Sequence, residues 1–212
     1  MPREVKICGI NTAGALRAAA AADLVGFVFF PASPRAVTPG TAAAISGTLP
    51  GGPLRVGLFV DPTDADLAAT LAALPLDVIQ LHGEETPERC AAVRARFGVP
   101  VMKALGIATP GDLDALPRYV PVVDRLLLDA KPPPGASRPG GNAEAFDWTL
   151  VAGLRPGRPW LLAGGLTPAN VAAAIAATDA PGVDVSSGVE RAKGVKDEGL
   201  VADFVRAARG AS

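Results

Sequence analysis

Eight short apolar runs, each separated from the next by an Ala-rich segment of helical character, constrain the fold of this chain more than any other feature. The runs are apolar throughout instead of alternating, which is typical of parallel strands that helices cover. They span residues 5–9, 24–30, 54–60, 78–82, 100–105, 125–130, 159–164 and 183–187. Eight strand–helix units of roughly 25 residues each favour a single-domain (β/α)8 TIM barrel, with a parallel eight-stranded sheet, over an open doubly wound sheet.

The segments between the runs predict helices, and four threonines mark where helices begin. The predicted helices cover residues 13–22, 38–47, 65–74, 87–97, 110–119, 143–154, 168–178 and 199–209. Thr63, Thr86, Thr109 and Thr167 each precede such a segment, and the last three are followed at once by Pro, a residue favoured at the first helical position. No G-x-G-x-x-G motif follows the first strand, which argues against a dinucleotide-binding fold.

The length predicts one domain over residues 1–212, and the charge excludes two classes of partner. The 20 basic and 21 acidic residues leave a formal charge of −1, so neither nucleic acid nor an anionic membrane is an expected partner. The sequence contains no run of about 18 apolar residues, the length that would predict a membrane span. The first residues show no apolar signal core, so we expect a cytoplasmic location, with Cys8 and Cys90 as thiols.

Several chemically capable residues fall at the carboxyl ends of predicted strands, the rim where TIM barrels carry their active sites. Cys8 ends strand one and Asp129 ends strand six, so a thiol and a carboxyl become candidates for base and acid. The other rim residues are Arg35, His82, Gly164, Gly165, Ser186, Ser187 and Gly188. A base–acid pair of this kind points to an isomerase.

The glycine-containing loops after strands seven and eight predict a phosphate site. Barrel enzymes often bind phosphate there through backbone N–H groups and a helix N-terminus, and glycine lets the backbone approach the anion. A different loop, residues 131–141, follows Asp129 and is rich in Pro and Gly. It is either a cover for the substrate or a long connection, and its position favours involvement at the site.

Six segments together resemble phosphoribosylanthranilate isomerase of tryptophan biosynthesis, in order and over nearly the whole chain. They are residues 6–10 (KICGI), 26–35 (GFVFFPASPR), 78–83 (VIQLHG), 127–129 (LLD), 163–170 (AGGLTPAN) and 184–190 (DVSSGVE). The resemblance implies an Amadori rearrangement without a metal or redox cofactor. It implies that Asp129 protonates the furanose ring oxygen and that Cys8 removes the C2 proton.

The resemblance also assigns a role to Arg35, which would contact the carboxylate of the anthranilate ring with its guanidinium. His82, the only histidine, is either a substrate contact or a hydrogen-bonded structural residue, and no cluster around it supports a metal. Lys6 could bias Asp129 or hold strand ends together. Lys6 and Lys103 are candidates to lower the pKa of the Cys8 thiol.

The chain departs from the family pattern in two places, and two alternatives to an isomerase stay open. After strand six, the family usually has Gly-Gly, then Thr or Ser, then Gly; this chain has residues 140–143, Gly-Gly-Asn-Ala. Near the C-terminus, Lys193 replaces a proline that commonly precedes residues 194–197. Asn142 could still cap a helix.

A different phosphosugar barrel enzyme would leave the Cys8–Asp129 pair unexplained. A ligand-binding or assembly barrel would show no turnover. The sequence allows a monomer or a homodimer.

Overall fold

Eight parallel strands close into a barrel in sequence order in the computed structural model, which describes residues 3–131 and 146–211. Strand β1 bonds both β2 and β8, and this pairing closes the sheet. The strands are β1 (Glu4–Cys8), β2 (Leu24–Val28), β3 (Leu54–Phe59), β4 (Val78–Leu81), β5 (Val101–Ile107), β6 (Arg125–Ala130), β7 (Trp160–Leu162) and β8 (Gly182–Val185). All eight predicted strands are confirmed, with ends within two residues.

The outer layer consists of helices that follow the strands. They are α1 (Ala13–Ala18), α2 (Pro39–Gly47), α3 (Asp64–Ala73), α4 (Pro87–Phe97), α5 (Leu116–Tyr119), α6 (Val171–Thr178) and α7 (Glu198–Gly210). The predicted caps Thr63 and Thr86 accept hydrogen bonds from backbone N–H groups in the first turns of α3 and α4. In the described part of the chain, no helix is long and apolar enough to cross a membrane.

Four predicted helices are wrong in extent or type. The α1 helix stops at Ala18 instead of residue 22, and α6 starts at Val171 because residues 168–170 form a turn. Thr167 therefore does not cap it. Residues 110–115 form a 3₁₀ helix before α5. Of the predicted helix 143–154, residues 143–145 lie outside the described residues, and the rest contains only a 3₁₀ turn, Trp148–Val151.

A small antiparallel hairpin follows β8, although the sequence does not indicate it. It consists of β9 (Glu190–Ala192) and β10 (Val195–Lys196), and a 3₁₀ turn at Ser187–Val189 connects it to the barrel. Because β8 ends at the rim, the hairpin lies beside the loops after β1 and β2. The Asn11 amide donates to the Gly194 carbonyl at 2.8 Å and ties the hairpin to the loop after β1.

Candidate active site

Cys8 lies at the end of β1 inside the barrel, next to a buried ion pair. The Nζ of Lys6 donates to Oδ1 of Asp184 on β8 at 2.8 Å, and Lys6 is completely buried. Both the thiol and the Lys6 ammonium lie over Gly26 of β2: a Cβ added there would be 2.9 Å from Sγ and 3.4 Å from Nζ. The sequence brings Lys6 and Cys8 together because residues two apart on a strand face the same side.

Burial decides the proton state of this thiol more than its cationic neighbours do. Burial raises the pKa of Cys8, and the Asp184 carboxylate raises it further. The ammonium groups of Lys6 and Lys196 lower the pKa, but the net result is a raised value. Burial also disfavours the charge of Lys6, but Asp184 and Cys8 outweigh it and raise the pKa of Lys6. The free protein therefore holds Lys6 as an ammonium and Cys8 mostly as a thiol, with a minor thiolate fraction.

Asp129 and His82 face each other across the rim from β6 and the end of β4. The Oδ2 of Asp129 is 3.4 Å from Nε2 of His82, and both side chains keep a small exposed fraction, 14% and 10%. The other oxygen, Oδ1, accepts from the backbone N–H of Ala130 at 2.8 Å. Behind the ring, Nε2 of Gln80 is 2.9 Å from Nδ1 of His82. The structure thus joins Gln80, His82 and Asp129 in one chain of polar contacts.

Arg35 is held by a carboxylate of the hairpin. Its Nε and Nη2 donate to Oε1 and Oε2 of Glu190 at 2.6 and 2.9 Å, and both side chains are about 95% buried. Lys196 also donates to Glu190 Oε1 at 3.1 Å and to the carbonyl of Ser186 at 2.8 Å. Burial opposes the charge of Glu190, yet Arg35 and Lys196 outweigh it and lower the pKa of that carboxyl. Burial lowers the pKa of Lys196.

The glycine loops after β7 and β8 pack directly against each other. Gly164 and Gly165 have φ values of 84° and 66°, in the left-handed region that favours glycine. A Cβ on Gly188 would overlap the carbonyl oxygen of Leu166, so the two loops meet at that point. Asn170 donates from Nδ2 to the carbonyl of Gly165 at 2.9 Å. The loops predicted to bind phosphate are therefore neighbours with room only for glycine at their contact.

The prediction that Lys103 lies near the thiol is wrong. Met102 faces the barrel interior, so the next residue along β5 points to the outer layer. There Lys103 donates to Oε2 of Glu85 at 2.7 Å and to the carbonyl of Gly83 at 2.6 Å. It is near the other thiol, Cys90 on α4, whose pKa burial raises to about 11.

Sequence reasoning placed the rim residues but missed their partners. Lys6, in the middle of β1, is joined to β8 through Asp184. Glu190, Lys196 and Gln80 were not singled out, although Glu190 and Gln80 stand inside the motifs quoted above. Within residues 3–131 and 146–211, no cluster of His, Cys, Asp and Glu could hold a metal ion.

Comparison with known proteins gives a consistent result. The family model described as N-(5'phosphoribosyl)anthranilate (PRA) isomerase matches residues 5–207. The N-(5'-phosphoribosyl)anthranilate isomerase of Paracoccus denitrificans is 62% identical over 97% of this chain and 96% of its own. The crystal structure of the Thermotoga maritima enzyme is 37% identical and has a TM-score of 0.87, over 98% and 99% of the two chains. Another isomerase structure, 36% identical with a TM-score of 0.85 over 98% and 99%, contains reduced 1-(o-carboxyphenylamino)-1-deoxyribulose 5-phosphate.

Proposed function

The chain belongs to the family of N-(5'-phosphoribosyl)anthranilate isomerases, enzymes of tryptophan biosynthesis, and we propose that Cys8 is its general base and Asp129 its general acid. The reaction is the Amadori rearrangement of N-(5-phospho-β-D-ribosyl)anthranilate to 1-(2-carboxyphenylamino)-1-deoxy-D-ribulose 5-phosphate. We also propose a cytoplasmic location and action as a monomer or homodimer.

The proposed first step is protonation of the furanose ring oxygen by Asp129. The C1–O bond then breaks, its electron pair goes to the oxygen as a hydroxyl, and the anilino nitrogen forms an iminium with C1. Asp129 is suited to this step because its Oδ2 is on the rim and partly exposed, while Oδ1 is fixed by the Ala130 N–H. His82 lies against the same oxygen and can share a proton with it.

The proposed second step is removal of the C2 proton by the Cys8 thiolate. The C2–H electron pair moves toward the iminium, which becomes a neutral enolamine, and this tautomerises to the ketone. Because the iminium acidifies C2–H, a minor thiolate fraction is sufficient. The Lys6 ammonium supports that fraction from inside the barrel, and Asp184 keeps Lys6 charged.

The two ends of the substrate fit the two remaining groups of rim residues. We propose that Gly164, Gly165 and the loop 186–188 hold the phosphate through backbone N–H groups. The bidentate contact with Glu190 uses the Nε–Nη2 edge of Arg35. The Nη1–Nη2 edge suits a second planar carboxylate, that of the anthranilate ring.

The observation that carries this proposal is the placement of a buried thiol on β1 beside a fixed ammonium, on the same rim as the Asp129 carboxyl of β6. The test is consumption of phosphoribosylanthranilate, followed by its fluorescence, with purified protein and no added cofactor. We expect Cys8→Ala and Asp129→Asn each to lower kcat by on the order of 10²–10⁴, the usual contribution of a positioned base or acid.

The matched control is Cys90→Ala, which removes the other buried thiol, on α4. It should keep the kcat of the unmodified protein. Full activity in Cys8→Ala would exclude the thiol as base, and full activity in Asp129→Asn would exclude the carboxyl as acid.

A further inference from the structure

Gln80 on β4 carries an unsatisfied polar atom beside the ring of His82. The side chain is completely buried, and its Nε2 is 2.9 Å from Nδ1 of His82. Its Oε1 has no hydrogen-bond partner among the residues that the structure describes. A buried acceptor without a hydrogen-bond partner lowers the stability of the fold, so an unsatisfied oxygen at this position needs an explanation.

With the Gln80 amide in the orientation that places Nε2 next to the ring, a neutral His82 can have only one tautomer. An amide nitrogen only donates, so Nδ1 must offer a lone pair and the ring proton must be on Nε2. The Nε2 atom is 3.4 Å from Oδ2 of Asp129, so its proton lies next to a carboxyl that is unprotonated in this arrangement. In this arrangement the pair of His82 and Asp129 holds one proton, and Asp129 has none to give to a substrate.

Turning the Gln80 amide by 180° produces the other arrangement. The amide oxygen and nitrogen have nearly the same shape, so either orientation fits the same space. Oε1 would then accept from a proton on Nδ1. His82 either offers a lone pair at Nε2 to a protonated Asp129 or carries a second proton as imidazolium. In both forms the pair holds two protons, one of which is available for transfer.

We propose that Gln80 is a positioning residue for the acid of the reaction: the orientation of its amide is coupled to whether the His82–Asp129 pair holds one proton or two. Each orientation leaves one polar atom of Gln80 unsatisfied and satisfies the other, so neither is strongly favoured. The proposal rests on the proposed role of Asp129 and extends it to the groups behind His82.

In the described part of the chain, the charged residues Lys103 and Asp61 of the elements next to β4 have partners of their own. From β5, Lys103 is bonded to Glu85 and to the Gly83 carbonyl. From the loop after β3, Asp61 accepts from the N–H of Glu84 at 2.8 Å. The positions in register with Gln80 on the flanking strands are Leu58 and Met102, which carry no charge. We therefore treat proton exchange as occurring between His82 and Asp129, with Gln80 as their hydrogen-bonding neighbour.

The single histidine makes the test direct, because every imidazole ¹⁵N signal belongs to His82. In the free protein, the neutral ring should carry its proton on Nε2. Gln80→Met keeps the size of the side chain but removes the acceptor for Nδ1–H, so the titration midpoint of the ring should fall by about one pH unit. Gln80→Glu supplies a stronger acceptor, so the midpoint should rise and the neutral ring should move its proton to Nδ1.

The same variants should change the pH profile of turnover. The high-pH limb of kcat/KM should move down in Gln80→Met and up in Gln80→Glu, and in Gln80→Met KM should stay nearly constant while kcat falls. The control is Met102→Leu, at the matching interior position of β5, which should leave the ¹⁵N spectrum unchanged. If Gln80→Met does not fold, the direction in which Gln80→Glu shifts the titration midpoint of the ring still tests the coupling.

An unchanged tautomer and midpoint in the Gln80 variants would overturn the coupling. The NMR measurement needs no turnover, so it is independent of the assay on Asp129→Asn. Opposite shifts in the two variants together with an inactive Asp129→Asn would support both proposals. Opposite shifts with a fully active Asp129→Asn would support the coupling between Gln80 and His82 and overturn the role of Asp129.

Discussion

Gly26→Ala should disable the proposed base while leaving the barrel folded. Gly26 is in register with Cys8 on the neighbouring strand, and its missing side chain makes the space for the thiol. A Cβ there would be 2.9 Å from Sγ and 3.3 Å from the Cα of Cys8. Ordinary carbon contacts lie at about 3.5–4.0 Å, so Sγ must move by roughly 0.5–1 Å. With one side-chain torsion, Cys8 can move Sγ only by rotating χ1 or by shifting the strand.

The size of that movement sets the expected loss. A misplacement of about 1 Å in a reacting group costs on the order of 10²-fold in rate, or about 2.7 kcal/mol of barrier. The Lys6 ammonium would also be crowded, because its Nζ is 3.4 Å from the added carbon. Overpacking of the interior should cost roughly 1–3 kcal/mol of unfolding free energy. We therefore expect kcat to fall about 10²-fold in a variant that still unfolds cooperatively.

Gly57→Ala on β3 is the matched control. Its added Cβ would crowd side chains of the outer layer, Leu76 and Phe59, and not the thiol. Both variants should lose stability in chemical denaturation, but only Gly26→Ala should lose kcat in the fluorescence assay. A Gly26→Ala protein with the kcat of the parent would show that the position of Sγ does not limit the reaction, and the assignment of Cys8 would fail with it.

Further predictions concern the substrate's ends and the charge beside the thiol. Arg35→Ala should weaken substrate binding by roughly 1.5–3 kcal/mol, the range for a hydrogen bond to a charged group, and Arg35→Lys should recover only part; an unchanged kcat/KM would place the carboxylate elsewhere. A phosphate or sulfate soaked into crystals should bind between Gly164–Gly165 and the loop 186–188; an anion at the opposite barrel end would refute this. Lys6→Met should raise the pKa of the buried thiol further, because its ammonium lowers that pKa now. The low-pH limb of kcat/KM should therefore move to higher pH, and activity lost at pH 7 should return in part at pH 9; a uniform loss at all pH values would contradict the electrostatic role.

The strands could be predicted from the sequence because each strand's burial is visible in its own short run of residues. A parallel barrel strand is covered on both faces, so its apolar run is continuous and its ends are sharp. Helix ends were harder because tertiary contacts decide them. The segment after Ala18 is still Ala-rich, yet the chain turns, and Asp23 accepts from the N–H of Val5 on β1 at 2.7 Å. The hairpin 190–196 has strands too short and too polar to give a periodic signal.

The rim residues of the site were predictable for a similar reason, but their partners were not. Each strand end is visible in the sequence, and the barrel brings all strand ends to one side. The ion pairs, in contrast, join residues far apart in the chain: Lys6 and Asp184 are 178 residues apart, and Arg35 and Glu190 are 155 apart. The alternation of side chains along β5 could have excluded Lys103, because the interior position belongs to Met102.

These two buried pairs also determine how variants of the site must be interpreted. Removing one partner of a buried pair leaves an uncompensated charge and typically costs about 3–5 kcal/mol of stability. Arg35→Ala leaves Glu190 with Lys196 as its remaining cation. We therefore expect part of any loss of activity to come from a displaced hairpin. The hairpin holds the Ser186 carbonyl through Lys196, and Ser186 belongs to the proposed phosphate loop. A lost carboxylate contact raises KM for the substrate alone, whereas a displaced hairpin also weakens the binding of inorganic phosphate. Comparing the affinities of Arg35→Ala for substrate and for inorganic phosphate therefore shows whether a lost carboxylate contact or a displaced hairpin causes the loss of activity.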